Sequence, residues 1–538
     1  MRAGRLLACG LWMGLALGCE TASSNSGSAP SGMGGQPGPI DSAGGASSSG
    51  GSIALTQPSQ CTGSGYACMV PKCSNAAGTT VSGKVYDPLG KNPVYGAMVY
   101  FPDQIDSLAT ISPGPGNLCG RCVRPSGNPV AGAVSGSDGS FVIKQAPAGR
   151  QIPIVVQLGK WRRMTFVENL EACSDNVVTD VRLPRSRSDG QKVSLPRIAI
   201  AAGAGDRVQC LLRRMGVDTV EFTNPDGLGS VNIYNQPSAL GADPAGRFDA
   251  TVNGGAAFPE ATTFWSDINQ LGKYDLVVLA CAGNATAADP TRTTPNAITD
   301  TAKASMSKYL SSGGRVLGEH YNSAWIRSFP AKSSQQTTNG VPSPLGADVA
   351  LWSSPVETTD AMSSAVPAGT TAVGQVDVSF AKGKDFANWL VAAKAAQTVG
   401  TFPLKGDVKR TAIDQLDAAP SAQRWIYQPA SAADPQGSAS FTHFLSFNMT
   451  SGGQLIDRRS TDSTNLCGRF IYTGLHVDSA DTSTHGSDLD DAVKVLPFPG
   501  CCAQGDLSPQ EKAIEFMLFD LSSCLSLDAD PAAAGLII

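Results

Sequence analysis

Two of the four histidines in this 538-residue chain follow apolar segments that have the pattern of buried strands. His320 closes the segment GGRVLGEH, and His476 closes GRFIYTGLH. If both segments are parallel strands of one sheet, their carboxyl ends lie at the edge where open α/β sheets bind ligands. Imidazole nitrogens at that edge can bind a metal ion or hydrogen-bond to a polar ligand. The sequence therefore predicts a candidate ligand pocket formed by Glu319, His320, Asn322, His476 and Asp478.

A catalytic nucleophile is harder to identify. Cys281 closes another apolar strand, LVVLAC, but no Gly-x-Cys-x-Gly frame surrounds it, and it can pair with Cys210. Gly203 and Gly205 follow a strand as phosphate loops do, but Val208 occupies the place of the third glycine. We therefore assign no catalytic residue and predict no cofactor. A metal ion at the histidines is the open alternative.

The cysteine content indicates an oxidising compartment. The chain holds 14 cysteines, and twelve remain once Cys9 and Cys19 are set aside with the N-terminal segment. An even number in an exported chain predicts disulfide bonds, up to six, although spacing alone leaves their pairing open. Cys119 and Cys122 also have the spacing of a zinc or redox-active motif, but no second such motif accompanies them and no helical pattern follows, so structural disulfides are favoured. The candidate disulfide cysteines are Cys61, Cys68, Cys73, Cys119, Cys122, Cys173, Cys210, Cys281, Cys467, Cys501, Cys502 and Cys524.

The N-terminus has the pattern of a signal peptide over residues 1–18. Two arginines precede an apolar run from Leu6 to Leu17, which is shorter than the ~20 residues that span a bilayer as a helix. The Gly18-Cys19 step resembles a bacterial lipobox, and the resemblance implies that Cys19 carries a diacylglycerol. Ordinary cleavage is the alternative, because Ala16 and Gly18 also satisfy the small-residue rule.

Residues 19–60 form a stretch rich in Ser and Gly with few bulky apolar residues. Such a segment cannot bury enough surface to fold, so we predict a disordered tether. A tether suits a lipid-anchored domain, and Glu20 after the cysteine resembles the outer-membrane lipoproteins of bacteria. We expect an outer-membrane lipoprotein of the cell envelope, periplasmic or surface-exposed, with a secreted protein as the alternative. The expected partners are the membrane, through the lipid anchor, and an unknown ligand or envelope protein.

Composition and charge exclude one class of partner. Charged residues make up 16% of the chain, Gly and Pro number 59 and 35, and the net charge is −5. This profile is typical of a turn-rich exported protein. A nucleic-acid partner would need a concentrated basic surface to neutralise phosphates, and the sequence has no long cluster of Lys and Arg. We therefore expect no nucleic-acid partner.

A β-sandwich is predicted over residues 79–185, after a Cys-rich collar over 61–78. Short alternating runs are separated by Gly, Pro, Asn and Asp turns, which is the pattern of antiparallel strands. The segments VSGKVYD, NPVYGA, SDGSF and PAG, which lie between Val81 and Gly149, resemble carboxypeptidase regulatory-like (transthyretin-like) domains. Such domains are usually non-catalytic, so the resemblance implies a structural or binding role.

An α/β domain is predicted over residues 196–525, with an insertion at about 330–465 and a tail over 526–538. Continuous apolar strands alternate with amphipathic helices, as in a parallel sheet covered on both faces. The segments GGRVLGEHYNSAW and GRFIYTGLHVD, followed by a closing helix, resemble the class I glutamine amidotransferase-like fold and in particular its trehalose-utilisation-protein-like (ThuA-like) branch. The nucleophilic cysteine of true amidotransferases is absent from the turn of residues 318–322, so their hydrolase chemistry is not carried over.

The predicted fold class is therefore multidomain, with an antiparallel β-sandwich followed by a three-layer α/β domain that has a parallel sheet and an inserted β-rich region. The expected function is that of an exported, non-catalytic lipoprotein that binds a ligand or a partner. The alternative is a carbohydrate-related or metal-assisted hydrolase that uses a crevice between His320 and His476. A purely structural envelope protein is the third hypothesis.

Overall fold

A computed structural model describes the chain in sixteen segments. The described residues are 52–53, 61, 63–115, 119, 125–203, 206–236, 246–281, 298–326, 349, 351–352, 371–405, 412–413, 420–430, 440–477, 496–502 and 504–528. The predicted signal peptide, the lipidation candidate Cys19, Cys122 and the pocket candidate Asp478 lie outside these segments.

Nine strands precede residue 196 in the described part of the chain. They are β1 Ser52–Ile53, β2 Thr80–Lys84, β3 Met98–Pro102, β4 Pro129–Val134, β5 Ser140–Ile143, β6 Gly149–Leu158, β7 Trp161–Leu170, β8 Asp175–Val177 and β9 Gln191–Ser194. One antiparallel sheet has the order β1-β4-β3-β6-β7-β9, and a smaller sheet has the order β5-β2-β8. Phe141 and Ile143 of β5 are buried, whereas Val142 between them is 39% exposed, as the two-residue period of a half-buried strand requires.

Twelve further described strands belong to one large sheet. They are β10 Ile198–Ala202, β11 Phe222–Thr223, β12 Val231–Asn235, β13 Leu276–Leu279, β14 Arg315–Glu319, β15 Leu351–Trp352, β16 Thr371–Val376, β17 Thr401–Lys405, β18 Ala412–Ile413, β19 Gln423–Gln428, β20 Phe441–Thr450 and β21 Leu466–Thr473. The main order is β11-β12-β10-β13-β14-β21-β20-β19-β16-β17, and β18 pairs with β15 and β20 beside it.

Helices cover both faces of the large sheet. The described α-helices are α1 Val208–Arg214, α2 Thr262–Trp265, α3 Ile268–Leu271, α4 Asp300–Ser311, α5 Ala381–Ala392 and α6 Pro509–Ser522, and short 3-10 helices lie at Tyr66–Met69, Thr219–Glu221, Asn253–Gly255 and His320–Trp325. Along β10, Ile198 and Ile200 belong to the buried cluster that includes α1, α5 and α6, whereas Ala199 and Ala201 belong to the cluster of α2, α3 and α4. Because both faces are buried, the strand is a continuous apolar run.

The described residues thus form several sheets of mixed α/β content in which strands predominate, and the predicted fold class is confirmed at this level. The large sheet is, however, mixed and not wholly parallel. β14 and β21 are parallel, but β20 runs antiparallel to β21, and β19, β16 and β17 continue the sheet in the antiparallel sense. The region predicted as an insertion at about 330–465 therefore extends the sheet, because its strands pair along the edge that β21 would otherwise leave open.

Helix α6 is buried between the large sheet and the first two sheets. It begins at the capping box that the sequence SPQE predicts, in which Ser508 and Glu511 each bond to the other's backbone. It contacts β14 and β17. On its other side the ring of Phe516 lies 5.8 Å from that of Tyr95, and the ring of Phe519 lies 6.1 Å from that of Trp161. The N-terminal sheets therefore pack directly on the closing helix, and the described residues from Ser52 onward belong to one compact unit.

Disulfide bonds join distant parts of the chain. Among the described residues the pairs are Cys61–Cys68, Cys73–Cys173, Cys119–Cys467 and Cys210–Cys502, and Cys524 is also disulfide-bonded. Two of the twelve candidate cysteines, Cys281 and Cys501, are not disulfide-bonded, so the candidates form at most five of the six possible bonds. Cys210 is bonded to Cys502 and not to Cys281, because Cys210 lies on α1 opposite the segment that precedes α6.

Two predicted boundaries differ from the structure. Ser52 and Ile53, which the sequence assigns to a disordered tether, form β1 and pair with β4. The described start of the predicted tail is also ordered, since Ser526, Leu527 and Asp528 are each at most 4% exposed. The carboxylate of Asp528 accepts a hydrogen bond from the hydroxyl of Ser446 and pairs with the guanidinium of Arg469, both buried in the large sheet, which explains its order. Among the described residues, no helix combines the length and the apolar character that crossing a membrane requires.

Candidate functional site

The two predicted histidines lie side by side. β14 and β21 are parallel neighbours, and Glu319 is paired with Thr473 at their carboxyl ends. His320 follows the first strand directly, and His476 follows the second by three residues. Their ring centroids are 3.5 Å apart, with the ring planes at 69°. Both residues are buried, at 1% and 8% exposure.

A buried carboxylate orients His476. The Nδ1 atom of His476 lies 2.8 Å from Oδ2 of Asp206, which is fully buried. Asp206 lies between β10 and α1, at the same edge of the sheet, and its N–H donates to the carbonyl oxygen of Cys281. The side chain of Gln510 on α6 donates to the carbonyl oxygen of His476. Because a carboxylate accepts, Nδ1 of His476 is the donor, and Asp206 fixes the orientation of the imidazole.

Backbone geometry holds His320. Its Nε2 lies 2.7 Å from the carbonyl oxygen of Gly474, and because a carbonyl can only accept, Nε2 carries the hydrogen. The residue has a φ of +44°, in the left-handed region that non-glycine residues rarely adopt at a cost of roughly 1–3 kcal/mol. The hydroxyl of Tyr472 donates to the carbonyl oxygen of His320. These two hydrogen bonds from β21 and its C-terminal extension hold the strained residue in place.

Glu319 is an unusual acid at this site. Its side chain is fully buried, and its Oε2 accepts a hydrogen bond of 3.4 Å from the N–H of Cys281. Burial raises the pKa of Glu319 well above its usual value and the charge of Asp206 raises it further, while His476 and the Cys281 N–H lower it in part. The neutral acid is therefore favoured, and it can donate a hydrogen bond that a carboxylate cannot.

Asn322 serves partly as a brace for the strand ends. Its Nδ2 donates to the carbonyl oxygens of Leu279, Ala280 and Glu319, at 3.0, 2.8 and 3.0 Å. Its Oδ1 is buried and has no hydrogen-bonding partner among the described residues. A buried acceptor without a partner costs about 1–3 kcal/mol, so this oxygen is a suitable contact for a ligand donor.

We define the histidine site as Asp206, Glu319, His320, Asn322 and His476. The structure brings together four of the five residues that the sequence predicts, and Asp478 lies outside the described residues. Sequence reasoning missed Asp206. The rule that identifies His320, a polar residue just beyond an apolar strand, also applies to Asp206 after β10, but the amphipathic pattern that begins at Asp206 predicts the start of a helix there.

The histidine site does not gather a metal-ligand set among the described residues. Groups of three or more His, Cys, Asp or Glu ligand atoms within 4.8 Å of one another occur there only at Cys210, Cys501 and Cys502. Two of those three sulfurs are joined in a disulfide.

No family model and no curated protein matches the chain. Among solved structures, the chain is similar to a protein described as ThuA-like from Bacteroides uniformis, with 12% sequence identity over 48% of this chain and 82% of that chain. The TM-score of the pair is 0.23.

Proposed function

We propose that this chain is an exported cell-envelope lipoprotein that binds a small polar ligand at the histidine site without chemical turnover. In this proposal Cys19 carries the lipid, and residues that follow it tether the folded part to the outer membrane. The N-terminal sheets are a sandwich of the carboxypeptidase regulatory-like kind, and the large sheet with its helices is a ThuA-like domain. No nucleic acid and no cofactor is required.

The observation that carries the binding function is the contact between His320 and His476. Their strands are separated by about 150 residues of sequence, yet the imidazoles meet at the carboxyl ends of parallel strands, where α/β folds place ligands. Two buried acids and an amide surround them. The site offers donors and acceptors in close proximity, which suits a neutral ligand with several hydroxyl groups, and its two buried acids disfavour an anion.

The disulfide bonds support the exported location. Structural disulfides form and persist in oxidising compartments, such as the bacterial periplasm or the cell surface. The Cys119–Cys467 bond joins the N-terminal part to β21, and the Cys73–Cys173 bond closes the N-terminal sheets on themselves. A reducing cytoplasm would remove these cross-links.

The binding proposal is tested by calorimetry and thermal unfolding of the full chain. The probes are glucose, maltose and glycerol, with succinate as the anionic comparison, each with and without EDTA. We expect a neutral polyol to bind and raise the unfolding temperature, with no effect of EDTA. The Glu319→Gln and His476→Gln variants should lose this response. Glu515→Gln is the matched control. Glu515 is as buried as Glu319 and also has a raised pKa, but it lies on α6, outside the histidine site. Absence of any response in the unmodified protein contradicts the proposal.

A hydrolase is the second candidate, and the Asp206–His476 contact favours it. A carboxylate-oriented imidazole beside a neutral carboxylic acid can act as a general base and a general acid. Incubation with 4-nitrophenyl glycosides and 4-nitrophenyl acetate distinguishes the two functions. Release of nitrophenol that disappears in the Asp206→Asn and His476→Gln variants establishes the enzyme and removes the non-catalytic proposal.

The lipid anchor has its own test. Cells fed an alkyne-tagged palmitate should label the unmodified chain, and a Cys19→Ala variant should lose the label and leave the membrane fraction. Label that persists in the Cys19→Ala variant refutes the anchor, whatever the outcome at the histidine site.

A further inference from the structure

We propose that Cys210, Cys501 and Cys502 form a thiol–disulfide exchange site, in which Cys501 and Cys502 are interchangeable partners of Cys210. We call these three residues the cysteine triad. The inference does not depend on the proposed function, because none of the three belongs to the histidine site.

The three sulfurs lie together in the core. Cys210 lies on α1, while Cys501 and Cys502 are consecutive residues of the segment that precedes α6. Cys210 is bonded to Cys502. The Sγ of Cys501 lies 3.9 Å from that of Cys210, and all three Sγ atoms lie within 4.8 Å of one another. A thiol is thus in contact with one sulfur of an existing disulfide.

One displacement connects the two pairings, once the Cys501 side chain rotates into line with the Cys210–Cys502 bond. The Cys501 sulfur, as thiolate, attacks Sγ of Cys210, so that a Cys210–Cys501 bond forms and the Cys210–Cys502 bond breaks. The proton that Cys501 gives up is taken by the departing Cys502 thiolate. One disulfide and one thiol are present before and after, so no outside oxidant or reductant is needed.

The exchange changes the position of the thiol but keeps the cross-link. Cys501 is fully buried and Cys502 is 6% exposed, so the thiol moves slightly toward the surface. Helix α1 stays bonded to the segment before α6 in either state. Since Asp206 lies immediately before α1, either pairing restrains the carboxylate that orients His476.

Acid trapping of the unmodified full chain tests the proposal. Acid stops exchange by protonating thiolates. The protein is quenched and unfolded in acid, labelled there with N-ethylmaleimide and digested, and the label is located by fragmentation of the peptide that contains both neighbouring cysteines. We expect label on Cys501 in some molecules and on Cys502 in others, with none on Cys210. Label on Cys501 alone, or on Cys210, overturns the proposal.

Thiol counts of variants give a second measurement. Relative to the unmodified chain, the Cys502→Ser variant should lose one thiol, because Cys501 takes over the bond to Cys210. If Cys501 cannot take over, Cys210 is released and the count rises by one, which overturns the proposal. The Cys501→Ser variant should also lose one thiol, and Cys281→Ser is the control that removes one thiol without touching the triad.

Discussion

Replacing Lys160 by methionine should weaken the attachment of the N-terminal sheets to the large sheet. Lys160 lies in the turn between β6 and β7, and its ammonium is paired with the carboxylate of Asp275. It also donates to the carbonyl oxygens of Ser112 and Gly114, at 2.7 and 2.6 Å. The other carboxylate oxygen of Asp275 accepts from the N–H of Arg197, beside β10. One cation therefore joins three parts of the chain.

The size of the loss follows from burial. The side chains of Lys160 and Asp275 are only 17% and 10% exposed, so water screens the pair weakly. Removing one partner of a buried pair costs about 3–5 kcal/mol. Because Asp275 keeps its hydrogen bond from Arg197 and Lys160 retains some exposure, we expect a loss of about 2–3 kcal/mol in the free energy of unfolding at pH 7. Methionine preserves most of the apolar stem, so this loss reports on the charge.

The loss should depend on pH. Burial raises the pKa of Asp275, and Lys160 offsets part of that effect, so removal of Lys160 raises the pKa further. An acid whose pKa is raised by folding destabilises the folded state only as it ionises. The penalty is therefore absent below the ordinary aspartate value of about 3.9 and complete above the raised value. The variant should be closer to the unmodified protein at pH 4 than at pH 7.

Urea unfolding at both pH values provides the assay. The Lys160→Met, Asp275→Asn and double variants complete a mutant cycle, and the double variant should recover most of the loss because no uncompensated charge remains. Lys84→Met is the matched control, since Lys84 is 47% exposed in its pair with Asp138 and its loss should stay below about 1 kcal/mol. A Lys160→Met variant as stable as this control, or equally weakened at pH 4 and pH 7, refutes the reasoning.

Three further predictions concern the histidine site and helix α6. Burial raises the pKa of Glu319, so the folded state loses stability as the pH rises above the ordinary value of 4.5 toward the raised pKa. Gln does not titrate, so the unfolding temperature of Glu319→Gln should increase relative to that of the unmodified chain as the pH rises above 4.5. Ser508→Ala removes the N-cap that accepts from the Glu511 N–H and should lower the free energy of unfolding in urea by about 1 kcal/mol. Trp161→Ala removes a buried ring against Phe519 and should lower the free energy of unfolding by about 3–5 kcal/mol in the same assay. Trp161→Phe keeps an aromatic ring there and should retain most of the stability of the unmodified chain.

Local patterns were sufficient to predict most of the strands that are buried on both faces. The segments that end at His320 and His476 are continuous apolar runs, and only strands with helices on both sides require such runs. For the same reason their carboxyl ends could be placed at one edge. β12 was missed because Asn232 and Asn235 interrupt its apolar pattern, although Asn232 is buried through hydrogen bonds to backbone and side-chain oxygens near Thr223.

Contacts between distant residues could not be predicted in this way. The pairing of Cys210 with Cys502 and the contact of Asp206 with His476 each join residues about 270–290 positions apart, and spacing carries no information at that range. The antiparallel extension of the sheet could not be predicted from the sequence pattern either. β20 has the same apolar character whether it forms a separate insertion or pairs with β21, since both arrangements bury it.

Helix α6 connects the two halves of the structure to the histidine site. At its N-terminal end Gln510 holds the carbonyl oxygen of His476, and the carboxylate of Glu511 pairs with Arg214 at the end of α1, the helix that follows Asp206. Its C-terminal half packs on the N-terminal sheets through Phe516 and Phe519. A shift of those sheets would therefore move the helix that braces both His476 and Asp206. The N-terminal sheets thus act as a fixed support for the site and not as a detached spacer, which is the arrangement that a preorganised binding site requires.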